Sequence, residues 1–566
     1  NFSQPSARRL AGAESQNGTR RRHPPEGTEK PRPGTMRTTN APGPQTPITL
    51  PVVLNGQILP GDRDRYRFRA LGGQHLVVGV SARGLLPYLS DAVQGWFQAV
   101  ATLFDAEGRE VAYDDDFRFH PDPVLHCEIP AEGDYVLEIR DALYRGREDF
   151  VYRVAVGELP YVTSIFPLGG PSGKPTAIQI AGWNLPFAEL ERPEQTPGVH
   201  QVTVRKGPLL SNGVPFSSET FSEEFEREPN DKPDVAQRVS LPSIINGRIG
   251  HPGDVDMLCL VGRRGQRIVA EVMARRLDSS LDSIIRLTAP NGEAIAFNDD
   301  YEDRAAGLTT HHADSRFSAT LPADGVYYLR VADAQHKGGA DYGYRLRLGP
   351  PAPDFDLRVV PSGINARAGT AVPVTVHALR RDGFSGDITM ALVDPPEGFA
   401  LAGVRLPAGQ DVVQMTLTVP AIAPAEPHVL SLVGRATIQG REVTRPAFPA
   451  SDVVQAFAYH HLGLAETLQV CVTGTSPPFS LRDKAYGTLR IPSGGTARLQ
   501  VDIPDETPQG AVVLELNQAP DGITIERTSF RDTGGEIMFR SDAKTAKPGL
   551  KGNLIVNAFA VREAAA

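Results

Sequence analysis

Cysteine is scarce in this chain of 566 residues: there are three, Cys127, Cys259 and Cys471. They are odd in number and far apart, so they make neither a disulfide framework nor a zinc-type ligand set. Each lies beside strand-like residues and is expected as a buried free thiol. Aromatic residues are also sparse, at 7% with two tryptophans. No apolar run approaches the roughly 18 residues that a membrane span needs. Positive charge is not in excess, and a net charge of -9 argues against a nucleic-acid partner. Catalytic signatures are missing too. There is no His-Glu-x-x-His, no Gly-x-Ser-x-Gly and no cysteine with a partner set, so nothing assembles a nucleophile, a base and an oxyanion hole. The chain reads as non-catalytic. It opens on Asn1 without a basic-then-apolar leader, as in a processed chain or a fragment.

What is abundant is turn chemistry. Forty-nine prolines and 55 glycines suit an all-β protein of short strands. The length implies several domains, each large enough to bury its own core. Residues 226–349 are organised as a second, diverged copy of residues 54–157. Asn246-Gly-Arg-Ile and Pro252-Gly-Asp-Val-Asp answer Asn55-Gly-Gln-Ile and Pro60-Gly-Asp-Arg-Asp. Gly265-Gln-Arg-Ile-Val answers Gly73-Gln-His-Leu-Val, and Phe297-Asn-Asp-Asp answers Tyr113-Asp-Asp-Asp. Asp341 and Tyr344 stand where Asp149 and Tyr152 stand. A repeat this long is a complete small domain rather than a solenoid unit.

In order, residues 1–48 form a basic, Pro/Gly-rich segment without apolar periodicity, expected to be a disordered linker. Residues 49–158 are the first repeat. Within it, residues 85–98 are an insertion whose apolar spacing (Leu85, Leu86, Leu89, Val93, Phe97) suits a short helix or lid. Residues 159–222, 351–455 and 464–566 read as further sandwiches, with a connector around Tyr459-His460-His461. Gly169-Gly-Pro-Ser-Gly-Lys-Pro is not a phosphate loop, because its spacing is wrong, Pro175 replaces the magnesium-holding hydroxyl and a strand follows.

Two resemblances emerge. Val162-Thr-Ser-Ile-Phe-Pro, a glycine-rich turn and Ala177-Ile-Gln-Ile-Ala-Gly-Trp-Asn resemble the opening of the IPT/TIG immunoglobulin-like domain. Glu226-Arg-Glu-Pro-Asn-Asp, Gly253-Asp-Val-Asp, Gly265-Gln, Asn298-Asp-Asp, Asp314-Ser-Arg and Gly325-Val-Tyr-Tyr-Leu-Arg-Val resemble the bacterial pre-peptidase C-terminal (PPC) domain over residues 223–350. A weaker likeness covers residues 52–157. Met257 and Cys259 are aligned with the first copy's Tyr66 and Phe68. The PPC resemblance implies a small jelly-roll-like β-sandwich, found on secreted peptidases and on exported non-enzymatic proteins and related to collagenase binding modules. It also implies a secreted, periplasmic or cell-surface location.

The best chemical candidate is a calcium site. Glu226, Glu228, Asn230 and Asp231 place hard oxygen donors on an extended segment, where i and i+2 share a face. Asp254 and Asp256 have the same spacing and would complete the 6–8 oxygens that calcium takes. The resemblance to collagenase-type modules implies the same six residues. Against this, Glu-Pro-Asn-Asp is equally a turn and Gly-Asp-Val-Asp a solvated loop. The first copy lacks the acidic preamble, so no site is expected there despite Asp62 and Asp64. In Asp114–Asp116 with Asp122, and in Asn298–Asp300 with Asp314, one of each adjacent pair is expected to cap backbone amides, and the other to bind a cation or stay free. His311-His312 and His460-His461 read as solvated loops. The chain is therefore expected to be an all-β, exported, non-catalytic binding or adhesion protein, with an extracellular protein or polysaccharide as partner. Trp96, Trp183 or Tyr327-Tyr328 are the candidate contact patches. The alternatives are the accessory part of a secreted peptidase, or an envelope spacer.

Overall fold

The computed structural model describes residues 47–86, 96–186, 189–191, 196–289, 291–309, 311–455, 459–475, 482–483, 488–502, 511–531 and 534–561. The expected linker therefore lies outside the described residues, apart from its last two, and so does most of the insertion at 85–98. The described chain is all-β, with two short 3-10 turns as its only helical elements.

In the first repeat, Arg63–Ala70 shows how the sequence makes a strand. Its residues alternate strictly between exposed and buried, placing Asp64, Tyr66, Phe68 and Ala70 inward. This strand heads a four-stranded sheet with Gly133–Asp141, Ala99–Phe104 and Glu110–Asp114. The facing sheet runs Val52–Gln57, Val151–Gly157, His75–Ser81 and Val124–Glu128. Both sheets turn their apolar faces into one core around Phe68, Leu76, Leu103, Tyr152 and Val154.

The second repeat has the same two layers, each with an added edge strand. Glu223–Phe225 joins Ser243–Arg248 in parallel, and Gln237–Arg238 joins Val255–Gly262 in parallel. The register corrects one sequence alignment. Arg63–Ala70 pairs with Gly133–Asp141 through Ala70 and Gly133, and Val255–Gly262 pairs with Gly325–Asp333 through Gly262 and Gly325. Counting back, Leu258 and Leu260, not Met257 and Cys259, stand in the places of Tyr66 and Phe68. A slip of one residue would turn every inward side chain outward.

Between the repeats, Tyr161–Phe166 pairs with Gln179–Trp183, opposite a sheet built on Gly198–Lys206 and Val214–Glu219. The rejected phosphate loop contains the strand Gly169–Pro171. After the second repeat comes a larger unit whose core joins Phe355, Val376, Met415 and Leu432. The sequence placed its end at 455 and the start of the next domain at 464. Instead, Tyr459–Leu464 folds back on Arg441–Gln455, and Leu468–Thr473 pairs with both Gly363–Arg367 and His428–Ile438. Leu468, Val470 and Val472 are buried in that core. Their period-two pattern needed an apolar face, and this unit supplies it. The remaining strands, from Thr496–Asp502 to Ile555–Val561, surround a smaller core with Val501, Ile537 and Phe539 at its centre. The cysteines are free as expected, but half-buried rather than buried.

Candidate functional site

Each repeat is anchored on a fully buried tyrosine that projects under a glycine of the edge strand. A Cβ at Gly56 or Gly247 would overlap the ring of Tyr152 or Tyr344, which is why Asn-Gly recurs in both copies. In the second repeat the Tyr344 hydroxyl donates to Asp256 at 2.7 Å and lies 3.2 Å from Glu226. Glu226 also accepts the Arg248 amide at 2.7 Å. Asp256 is completely buried, and its carboxyl is pushed up to about 9, chiefly by desolvation and then by the Glu226 charge. Glu226 moves up for the same first reason.

The acidic segment and the aspartate loop converge. Carboxylate oxygens of Glu226, Glu228 and Asp256 lie within 4.8 Å of one another, and so do those of Glu228, Asp231 and Asp254. Glu228 belongs to both groups. Asn230, fully buried, holds this arrangement through its carbonyl, which accepts the Met257 amide at 3.0 Å. One end of its side-chain amide sits 3.2 Å from Asp256 Oδ1 and 3.3 Å from the Val255 carbonyl. Presented as NH2, that end donates to both. Presented as oxygen, it would face acceptors alone, so the NH2 orientation is the one that its surroundings satisfy. The six sequence-chosen residues thus form two adjoining groups that share Glu228, with Asn230 beside Asp256. Four already accept hydrogen bonds: Asp254 from the amides of Gly250 and Val255, Glu228 from that of Asn230, Glu226 from that of Arg248, and Asp256 from the Tyr344 hydroxyl. Donors of this kind suit a hard divalent cation.

The capping aspartates are where the sequence put them. Asp122 receives the amides of Ala82, Arg83 and Gly84, while Asp314 receives those of Ala274, Arg275 and Arg276. Asp114 caps Val124, and Asn298 caps Arg316 in the same way. A further matched pair escaped the sequence reading. Asp141 caps Gln98, Leu143 and Arg145, and Asp333 caps Asp282, Gln335 and Lys337. Their signal was the shared Asp-Ala that ends a strand in both copies. His311 is not alone on its loop: Asp282 and Asp300 bring ligand atoms within 4.8 Å of it and of each other. His460 lies in a strand and pairs with Asp452.

Two features were invisible from sequence. Arg345 has no exposed surface, and it binds Glu223 through both terminal nitrogens and Asn246 at 2.7 Å. Beyond it, a cleft of about 430 Å³ lies between the second repeat and the following unit, lined by Tyr301, Arg304 and Arg381 among others. On its wall Glu271 faces Arg276, Arg316 and Arg347, and Asp382 faces the last two. Burial opposes ionisation of Glu271, but the three guanidiniums outweigh it and hold its carboxyl at about 2.

The candidate aromatic patches are largely used up. Trp183 stacks on His126 and Tyr161 and meets Phe117 edge-on, and Tyr327 is buried with its hydroxyl on the Ala323 carbonyl. Neighbouring contacts bind the two repeats directly: His120 meets Asp278 at 2.6 Å, and Arg275 lies over the Phe119 ring.

No family model matches the chain. A stretch of 220 residues is 28% identical to a probable subtilase-type serine protease of Deinococcus radiodurans. That stretch is 37% of this chain and 28% of the protease, so the chain spans well under a third of that relative's length.

Proposed function

We propose that this chain is a non-catalytic accessory region of the kind appended to secreted peptidases, with calcium held at the entry to its second repeat. The observation that carries the calcium reading is the pair of carboxylate triads from two separate segments that share Glu228. Glu226, Glu228, Asn230, Asp231, Asp254 and Asp256 would hold the ion. Bound there, it would tie the segment leaving the preceding sandwich to the loop before Val255–Gly262, stiffening the junction. The likeness to part of a subtilase-type protease supports the accessory role, as does the lack of catalytic motifs. A free-standing adhesion role is less favoured, because Trp183 and Tyr327 are committed to packing. Export follows from the same reading.

Thermal unfolding in EDTA and in excess calcium tests the ion. Calcium at 100 times its dissociation constant would add about 2.7 kcal/mol. No shift, or the same shift in Asp256→Asn, would remove calcium from the account. The accessory role is tested by fusing this region to a subtilisin-type catalytic domain. Cleavage of an insoluble protein should rise while that of a small chromogenic peptide stays constant, and unchanged rates on both would refute it.

A further inference from the structure

The same strand is covered on its outer side in the second repeat, while among the described residues no strand covers it in the first. Ser243–Arg248 is buried along nearly its whole length, whereas Val52–Gln57 alternates between half-buried and exposed, with Val53 48% exposed. The cover in the second repeat is the strand Glu223–Phe225. Around it, the Ile244 amide donates to the Ser222 carbonyl at 2.8 Å, and the Glu226 amide to the Asn246 carbonyl at 3.0 Å. Glu223 then clamps the fork of Arg345 and accepts from Asn246 Nδ2 at 2.9 Å.

Register makes Val53 and Asn55 the counterparts of Ile244 and Asn246, and Arg153 the counterpart of Arg345. The first repeat therefore keeps the receptor half of this arrangement. Arg153 is exposed and reaches Asn55 Oδ1 at 3.4 Å, as Arg345 reaches Asn246. Among the described residues no strand lies on the outer side of Val52–Gln57. The strand also lacks the lysines, internal prolines and bulges that usually protect an edge. Of the chain upstream, residues 30–46 contain no Asp or Glu, and the nearest carboxylate before the repeat is Glu29.

We propose that Val52–Gln57 is a docking edge for an extended segment of a partner protein. The segment adds in parallel and carries a glutamate that engages Arg153 and Asn55 as Glu223 engages Arg345 and Asn246. Main-chain bonds to the Val53 amide and Asn55 carbonyl supply affinity, and the bidentate carboxylate–guanidinium pair supplies selectivity. This goes beyond the accessory reading and does not depend on calcium, which concerns the second repeat.

The probe is a labelled peptide copying residues 220–227 (Thr-Phe-Ser-Glu-Glu-Phe-Glu-Arg), added to the full chain. Anisotropy reports binding, and hydrogen exchange reports the amides of 52–57. The Val53 amide should exchange freely in the chain alone and become protected with peptide. Replacing the peptide's first glutamate by glutamine, or Arg153→Gln in the protein, should weaken binding about tenfold, the scale of one charge-assisted pair. Arg153 is on the surface, so this variant should keep its fold, which unchanged exchange elsewhere would verify. Three results would overturn the proposal: binding indifferent to Arg153→Gln, protection at 243–248 instead of 52–57, or Val53 already protected without peptide. The last would mean that the chain's own upstream segment or a second copy fills the edge.

Discussion

The first repeat closes its buried tyrosine with a second tyrosine, while the second repeat closes the equivalent one with two carboxylates. Tyr152 donates to Asp64 at 2.6 Å and meets the Tyr66 hydroxyl at 2.5 Å. In the second copy Leu258 replaces Tyr66, and the space beside the Tyr344 hydroxyl goes to Glu226, delivered by the segment before the domain. One framework thus sets a tyrosine and one carboxylate against the buried hydroxyl in one place and two carboxylates in the other. The difference arises both from Leu258 in the place of Tyr66 and from the acidic segment that leads into the second repeat. Where an acidic strand arrives, the edge is covered, Arg345 is neutralised and oxygen donors accumulate. In the first repeat no such strand is present among the described residues.

The sharpest way to break this comparison is at the two arginines. Arg345→Ala would leave the half-buried Glu223 with Asn246 but no counter-charge, and removing one partner of a buried pair costs about 3–5 kcal/mol. Arg153→Ala, at the matching exposed place, should change stability by no more than about 0.5 kcal/mol. Native-state hydrogen exchange reads each repeat separately, and equal losses would deny that cover distinguishes them. Next in size is the ion. Asp256→Asn should abolish the calcium-dependent stabilisation, up to about 2.7 kcal/mol in excess calcium, whereas Asp64→Asn should leave it intact.

A change expected to act alike in both copies comes third. Gly56→Ala and Gly247→Ala each force a methyl group into a buried tyrosine ring, costing about 1–3 kcal/mol. A loss in one copy alone would mean that the tyrosine anchor is not shared.

The smallest effect is a pH difference. Asp114 is pushed up to about 6, first by burial and then by Asp116 and Asp115, with the Val124 amide opposing. Because its folded value lies above the unfolded one, its contribution is full below about pH 4 and is lost as pH rises through about 6. Asp114 is only partly buried, so solvent screening limits the change to about 1 kcal/mol. Asn298 occupies the matching cap without titrating. The loss of stability between pH 4 and pH 7 should therefore be smaller in Asp114→Asn than in the unaltered chain, as melts at the two pH values would show.

Much of this was legible in the chain itself. Period-two alternation and turn residues were enough for an all-β fold, because a strand exposes its two faces in strict order. Repetition placed the capping aspartates, since a carboxylate at the same turn in both copies implies the same backbone to cap. The six acidic-segment residues could be grouped because they lie close together in two short stretches. Long-range pairing was not legible. Leu468–Thr473 reads as a strand wherever it goes, and only the vacant edge beside Gly363–Arg367 decided which unit it completes. Arg345 and Arg153 hold matching places in the two copies, yet one is buried and the other exposed. That outcome depends on a strand arriving from another part of the chain, and local periodicity carries no information about arrivals.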